Sequence, residues 1–201
     1  VGITLGEGDE DKANRYFSLF VLAAFLAGVA LSVLGLFILR PVAILMGAKG
    51  EMLDFAVRYG RVLMVSVPTF ILQNMFQSFF VTAEKPTLGF WFTVGAGCTN
   101  MVLDIVLVGW LRWGVEGAAI ATFLSQIVGG VLPVFYFLDH KTTSRLHLGK
   151  TEFHGSVLKA ACINGSSELM TNLSMSLVNI LYNYQLLRFA GEDGVAAYGV
   201  I

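Results

Sequence analysis

Charge is scarce in this chain. Asp, Glu, Lys and Arg make up 13% of its 201 residues, against about 25% in soluble domains. Hydrophobic residues make up 56%, and the mean hydropathy is +0.72. A soluble fold of this size needs charges spread over its whole surface. Here they fall in short clusters, separated by apolar runs too long for a globular core. The net charge of −1 leaves no basic footprint and argues against nucleic acid as a partner. Cysteine is nearly absent as well: Cys98 and Cys162 lie in apolar segments without CxxC or Cys/His spacing and are expected to be small buried hydrophobes. The acidic residues 1–15 do not form a secretory leader. A start at Val1 and a stop at Ile201 inside an apolar run predict a piece of a longer protein.

What fills the chain is a series of membrane spans. Tyr16 to Leu39 carries no charge over 24 residues; as a helix it reaches roughly 36 Å, enough to cross a hydrocarbon core of about 30 Å. A second span is uncharged from Val62 to Ala83 and begins near Met52, a third runs from Pro86 to Leu111, and a fourth from Gly117 to Leu138. A fifth, more polar, runs from Ser156 to Ala190, and a sixth begins at Val195. Arg40-Pro41, Glu84-Lys85-Pro86 and Arg112 to Glu116 are the breaks between successive spans, and such tight links predict antiparallel neighbours. The fold expected is an all-α integral membrane protein, a polytopic helix bundle with the lipid bilayer as its surroundings. Trp91 and Trp110 suit two interfacial anchors. The basic loop from Asp139 to Gly155 goes to the cytoplasm by the positive-inside tendency.

Two acids lie well inside the spans, Asp104 and Glu168. An Asp at a helix centre costs about 2.5–3.5 kcal/mol on insertion scales, so each acid demands a partner or a wet cavity. At about 100° per residue, Thr93, Gly97 and Asn100 fall within roughly 40° of Asp104. Thr122 and Gln126 are one turn apart on the fourth span beside Ser125, and Gln73/Gln77 and Asn74/Ser78 are like pairs on the second. On the fifth span, Asn164, Thr171, Asn172, Met175, Asn179, Tyr182 and Asn183 lie within about 60° of Glu168. Together these predict oxygen ligands turned onto a water-filled cavity, the competing reading being hydrogen-bond glue between helices. Ala24, Gly28 and Ser32 form a small-residue packing stripe. His140, His147 and His154 read as solvated loop residues rather than metal ligands. No nucleophile–base pair or phosphate-binding glycine loop is present, which argues against an enzyme and against ATP use.

Four motifs in order carry a family resemblance. The opening Leu5-Gly-Glu-Gly-Asp-Glu-Asp-Lys-Ala-Asn14, the run Asn100-Met-Val-Leu-Asp104, the stretch Gly114-Val-Glu-Gly-Ala-Ala-Ile-Ala-Thr122 and Gly191-Glu-Asp-Gly-Val-Ala-Ala-Tyr198 resemble the multidrug and toxic compound extrusion (MATE) transporters. The resemblance implies helices three to seven and the start of eight of a two-lobe, twelve-helix transporter. Residues 1–138 would belong to the N-lobe, 139–155 to the cytoplasmic inter-lobe linker and 156–201 to the start of the C-lobe. It implies a multi-pass protein of the cell membrane, a monomer when full length, exporting small organic, often cationic, compounds in antiport with H⁺ or Na⁺ and using no other cofactor. Asn100, Asp104 and Thr122 match three of the four residues of the family's N-lobe cation site, and the remaining Asp belongs to a helix outside this sequence. Glu168 matches a functional Glu of helix seven. Asn164, Asn172, Asn179, Gln73, Gln77 and Gln126 are expected around the substrate cavity. A lipid-linked oligosaccharide flippase of the same superfamily is the rival, and a passive channel a third class. An anionic pyrophosphate cargo would need Arg or Lys in the cavity, whereas the span interiors between Val62 and Leu138 hold one charge, that of Asp104.

Overall fold

A computed structural model describes residues 1–139 and 144–198, with backbone alone at 187 and 190–198. It is 85% helical, with no strand among the described residues. The helices are α1 (Gly2–Gly6), α2 (Glu10–Leu45), α3 (Glu51–Thr82), α4 (Pro86–Asp104), α5 (Gly114–Gly130), α6 (Leu132–Leu138) and α7 (Gly155–Tyr198); a π-helical stretch, Ile105–Trp110, continues α4. Among the described residues, four segments are long and apolar enough to cross a membrane: Glu10–Leu45, Glu51–Thr82, Pro86–Trp110 and Gly114–Leu138. Two compact units divide the chain, Val1–Phe153 and His154–Ile201.

Local chemistry sets the boundaries. Asp9 caps α2, its carboxylate accepting from the Lys12 amide at 3.0 Å. Pro86 opens α4 at a position that needs no amide hydrogen, and the chain turns into it through Glu84 at φ 57°. Gly114 opens α5 with φ +56°. Arg40-Pro41 does not end the first span: α2 runs through Pro41 to Leu45. Proline removes one backbone hydrogen bond but is tolerated in membrane helices, and the last turns here are mostly exposed. Pro68 sits inside α3 in the same way, with the Ser66 and Thr69 hydroxyls donating to the carbonyls of Leu63 and Ser66 beside it. The break expected between Ala190 and Val195 is helical instead, because no proline interrupts α7 and an isolated glycine costs only about 1 kcal/mol. The start expected for a sixth span at Val195 thus falls inside α7, and residues 199–201 lie outside the described residues.

Consecutive helices pack as neighbours: α2 on α3, α3 on α4 and α5, and α4 on α5. The small-residue stripe works as close packing, since a methyl group on Gly28 would lie 2.8 Å from the Pro68 Cα. Outward surfaces are apolar, with Phe37 78% and Trp110 85% exposed, as lipid-facing walls require. The same logic corrects the expectation for cysteine. Cys98 and Cys162 are exposed, because an apolar residue of a membrane helix can face lipid rather than protein.

One end of the first unit is closed by an aromatic cluster. Phe17, Phe76, Phe80 and Phe137 are fully buried. The Phe17 ring meets Phe137 edge-on at 5.0 Å, and Phe76 stacks on Phe137 at 5.6 Å. The basic loop is not a solvated arm at this end. His140 and residues 141–143 lie outside the described residues, but Leu146 and Leu148 are buried in the cluster. Their alternation about His147 marks an extended segment with one apolar side. The Leu148 amide donates to the Phe137 carbonyl at 2.7 Å, the His147 amide to the Asn14 side chain at 2.8 Å and the Gly149 amide to the Ser18 hydroxyl at 3.0 Å. Arg145 donates to Glu10 at 3.2 Å and Glu84 at 2.9 Å, and those hydrogen bonds raise its pKa above the ordinary value. His147 is accordingly half-buried rather than solvated.

Candidate functional site

Further along the same helices the interior changes character. A cavity of about 300 Å³ opens between α3, α4 and α5, lined by Phe70, Gln73, Thr93, Ala96, Gly97, Asn100, Thr122, Ser125 and Gln126. None of these side chains is charged. The spacing on α4 explains three of them, since Thr93, Gly97 and Asn100 share one face. On α5 the i, i+3 and i, i+4 relation brings Thr122, Ser125 and Gln126 to the opposing wall.

Glycine sets how near the walls come. A methyl group on Gly130 would sit 2.3 Å from the Thr69 carbonyl oxygen, and one on Gly129 2.7 Å from the Gln73 Cδ. α5 therefore meets α3 almost backbone to backbone, and Gln73 lies against the glycine surface. On the α4 side, a methyl group on Gly97 would meet nothing within 4 Å.

The hydroxyl protons on these walls are spent on their own helices. Thr122 donates to the Ala118 carbonyl at 3.0 Å, Ser125 to the Thr122 carbonyl at 2.8 Å and Thr93 to the Gly89 carbonyl at 2.9 Å. Their lone pairs are what remain for a ligand. Gln77, expected at the cavity, instead donates across the helix pair to the Thr93 hydroxyl at 3.1 Å and is not among the lining residues. It fixes the α3–α4 approach, because it points one turn beyond Gln73.

Asp104 follows Asn100 by one turn, about 6 Å along the axis. Its carboxylate is turned into protein: Oδ1 is enclosed and has no hydrogen-bond partner, and the same holds for Oε1 of Gln126. A buried acceptor without a donor is costly, about 1–3 kcal/mol and more when charged. Directly after Asp104 the helix widens into the π segment, where the Leu111 amide donates to the Val106 carbonyl at 2.9 Å, five residues back. Such bulges are frequent at functional sites. Sequence reasoning did not anticipate it; Gly109, which meets nothing within 4 Å, is the one local signal.

The stretch expected as the fifth span folds into one long helix, α7. On α7 the Asn172 amide group donates to the Glu168 carboxylate at 3.3 Å and to the Glu168 carbonyl at 3.0 Å. Asn164, Glu168, Asn172 and Asn179 are exposed on that helix, in the second unit. α7 has the length of a span without the apolarity of the other four.

Solved and curated proteins share this architecture. The chain is 24% identical over 196 residues to the multidrug export protein MepA of Staphylococcus saprophyticus, covering 98% of this chain and 43% of that protein. It is 22% identical over 200 residues to MepA of Staphylococcus aureus, with the same shares covered. It thus spans less than half the length of these relatives. An inward-facing multidrug resistance MATE transporter of the MOP superfamily superposes with a TM-score of 0.88 at 24% identity over 98% of this chain and 45% of that one. The outward-facing form of such a transporter gives 0.85 at 25% identity, over 98% and 44%. The MatE family model matches residues 1–106, more than half of the chain. This multi-pass, all-helical membrane protein belongs to the MatE family.

Proposed function

We propose that the chain forms part of a secondary active exporter that expels small organic, often cationic, compounds across the cell membrane in exchange for H⁺ or Na⁺. In this reading residues 1–138 belong to the N-lobe, 139–155 link the lobes on the cytoplasmic side and 156–201 begin the C-lobe. The whole transporter works as a monomer, without catalytic chemistry and with no cofactor beyond the coupling ion.

The observation that carries the reading is the enclosed, unpartnered carboxylate oxygen of Asp104 beside a neutral polar cavity. Asn100, Asp104 and Thr122 hold the coupling ion. A proton or Na⁺ on Asp104 changes the charge of the site by one, and with it the attraction for a cationic cargo. Cargo and ion thus compete, which is what exchange requires. One charge moved down a 100 mV potential releases about 2.3 kcal/mol, roughly a fifty-fold gradient if fully coupled. Gln73, Gln126 and Asn100 line the cargo space; Glu168, with Asn164, Asn172 and Asn179, supplies the polar face of the C-lobe side. The absence of Lys and Arg from the described cavity lining supports a cationic or neutral cargo over an anionic one.

The test is Asp104→Asn in the complete transporter reconstituted in vesicles. Ion-driven efflux of a cationic dye is abolished while the protein elutes and melts as the parent does. Parental efflux from that folded variant rules the role out.

A further inference from the structure

The segment expected to link the lobes is fastened rather than slack. Leu146 is fully buried and Leu148 is 8% exposed. The amides of His147, Leu148 and Gly149 are taken by Asn14, Phe137 and Ser18. Arg145 adds ion pairs to Glu10 and Glu84, but both are exposed and contribute little beside two buried leucine side chains. Burial, more than charge, holds the segment down. Its last anchor is Thr151, whose hydroxyl donates to the Arg15 carbonyl at 2.9 Å. On the far side, the His154 carbonyl already accepts the first amides of α7, from Val157 at 3.1 Å and Leu158 at 3.2 Å. Between the two anchors stand Glu152 and Phe153, both exposed. The boundary of the two compact units falls at the same place, after Phe153.

We infer that residues 144–151 are a strap that stays seated on the first unit throughout transport, so that any movement of one unit against the other is taken up at Glu152-Phe153. This rests on the exporter reading given above and goes beyond it by naming the joint. A slack linker over the whole of 139–155 would reach roughly 55 Å when extended, whereas the three Cα–Cα steps from Thr151 to His154 reach about 11 Å at most. With the strap seated, the first turn of α7 cannot travel farther than that from Thr151.

The test joins the strap to its seat by a reversible bridge in the complete transporter. Arg145→Cys and Glu84→Cys, in a background with Cys98→Ala and Cys162→Ala, are linked by a bis-methanethiosulfonate long enough to replace the two side chains that now meet. In vesicles the bridged protein exports dye at the rate of the same protein after the bridge is reduced. Efflux that stops on bridging and returns with reductant overturns the proposal, because the strap must then lift. So does a bridge that does not form. Hydrogen exchange on the parent protein, at rest and during efflux, decides the matter if the cysteine variant does not fold. The amides of His147, Leu148 and Gly149 stay protected in both conditions, exchanging about a hundredfold or more slowly than in an unstructured peptide. Protection that is absent at rest or lost during efflux refutes the strap. A parent without ion-driven efflux refutes the exporter reading instead, while protection at rest still reports whether the strap is seated.

Discussion

The aromatic end and the central cavity are built from overlapping helices by opposite rules. At the aromatic end, rings from α2, α3 and α6 interlock, and the segment from Ser144 to Thr151 covers them, its amides taken up by Phe137, Asn14 and Ser18. A few turns away the same α3, with α4 and α5, leaves about 300 Å³ open and two buried oxygens unpaired. Burial and interlocked rings close the first region. The second keeps open space and two oxygens without a donor. Close packing and open space are thus divided along the helix axes, and the first permits the second, since unpaired oxygens are tolerated only where the rest of the bundle supplies the stability.

The comparison breaks most severely at the glycine seam. Gly130→Val puts its added carbons against the Thr69 carbonyl, a backbone group that cannot step aside. It is expected to abolish the folded protein in detergent, measured as loss of the monodisperse peak and of a cooperative melt. Phe137→Ala at the aromatic end comes next. It removes a fully buried ring from a four-ring cluster, and is expected to cost about 3–5 kcal/mol of stability, read from thermal unfolding, while affinity for cargo in the surviving folded fraction stays parental. Gly97→Val is the mildest for the fold and confined to the cavity. Its side chain enters open space on the α4 wall, so melting is unchanged, while efflux of the bulkiest dyes falls several-fold against that of small ones. A Gly97→Val protein that melts early, or a Phe137→Ala protein with altered cargo preference, would erase the division.

Much of this was legible in the residues. Span order, antiparallel neighbours, the Gly28 stripe and the faces shared by Thr93, Gly97 and Asn100 and by Thr122 and Gln126 all follow from periodicity and from the cost of polar groups in lipid. What was not legible has physical causes. Periodicity does not show whether an apolar face meets lipid or protein, hence the exposed Cys98 and Cys162. A charge-rich loop reads as solvated unless the short alternation of Leu146 and Leu148 is given weight. Proline signals a helix end in water more strongly than in a membrane, hence the extension of α2 past Pro41. The π turn after Asp104 rests on a register choice of single hydrogen bonds, which composition does not encode.

The near-contact of α5 and α3 through Gly129 and Gly130 has an evolutionary corollary. A larger residue at Gly130 collides with the Thr69 backbone before it can touch a guest molecule, so that position is closed to experiment by mutation. The facing wall, where Gly97 looks onto unoccupied room, accepts new side chains without disturbing the frame. Under the proposed function, a change of cargo in descendants of this sequence falls on α4.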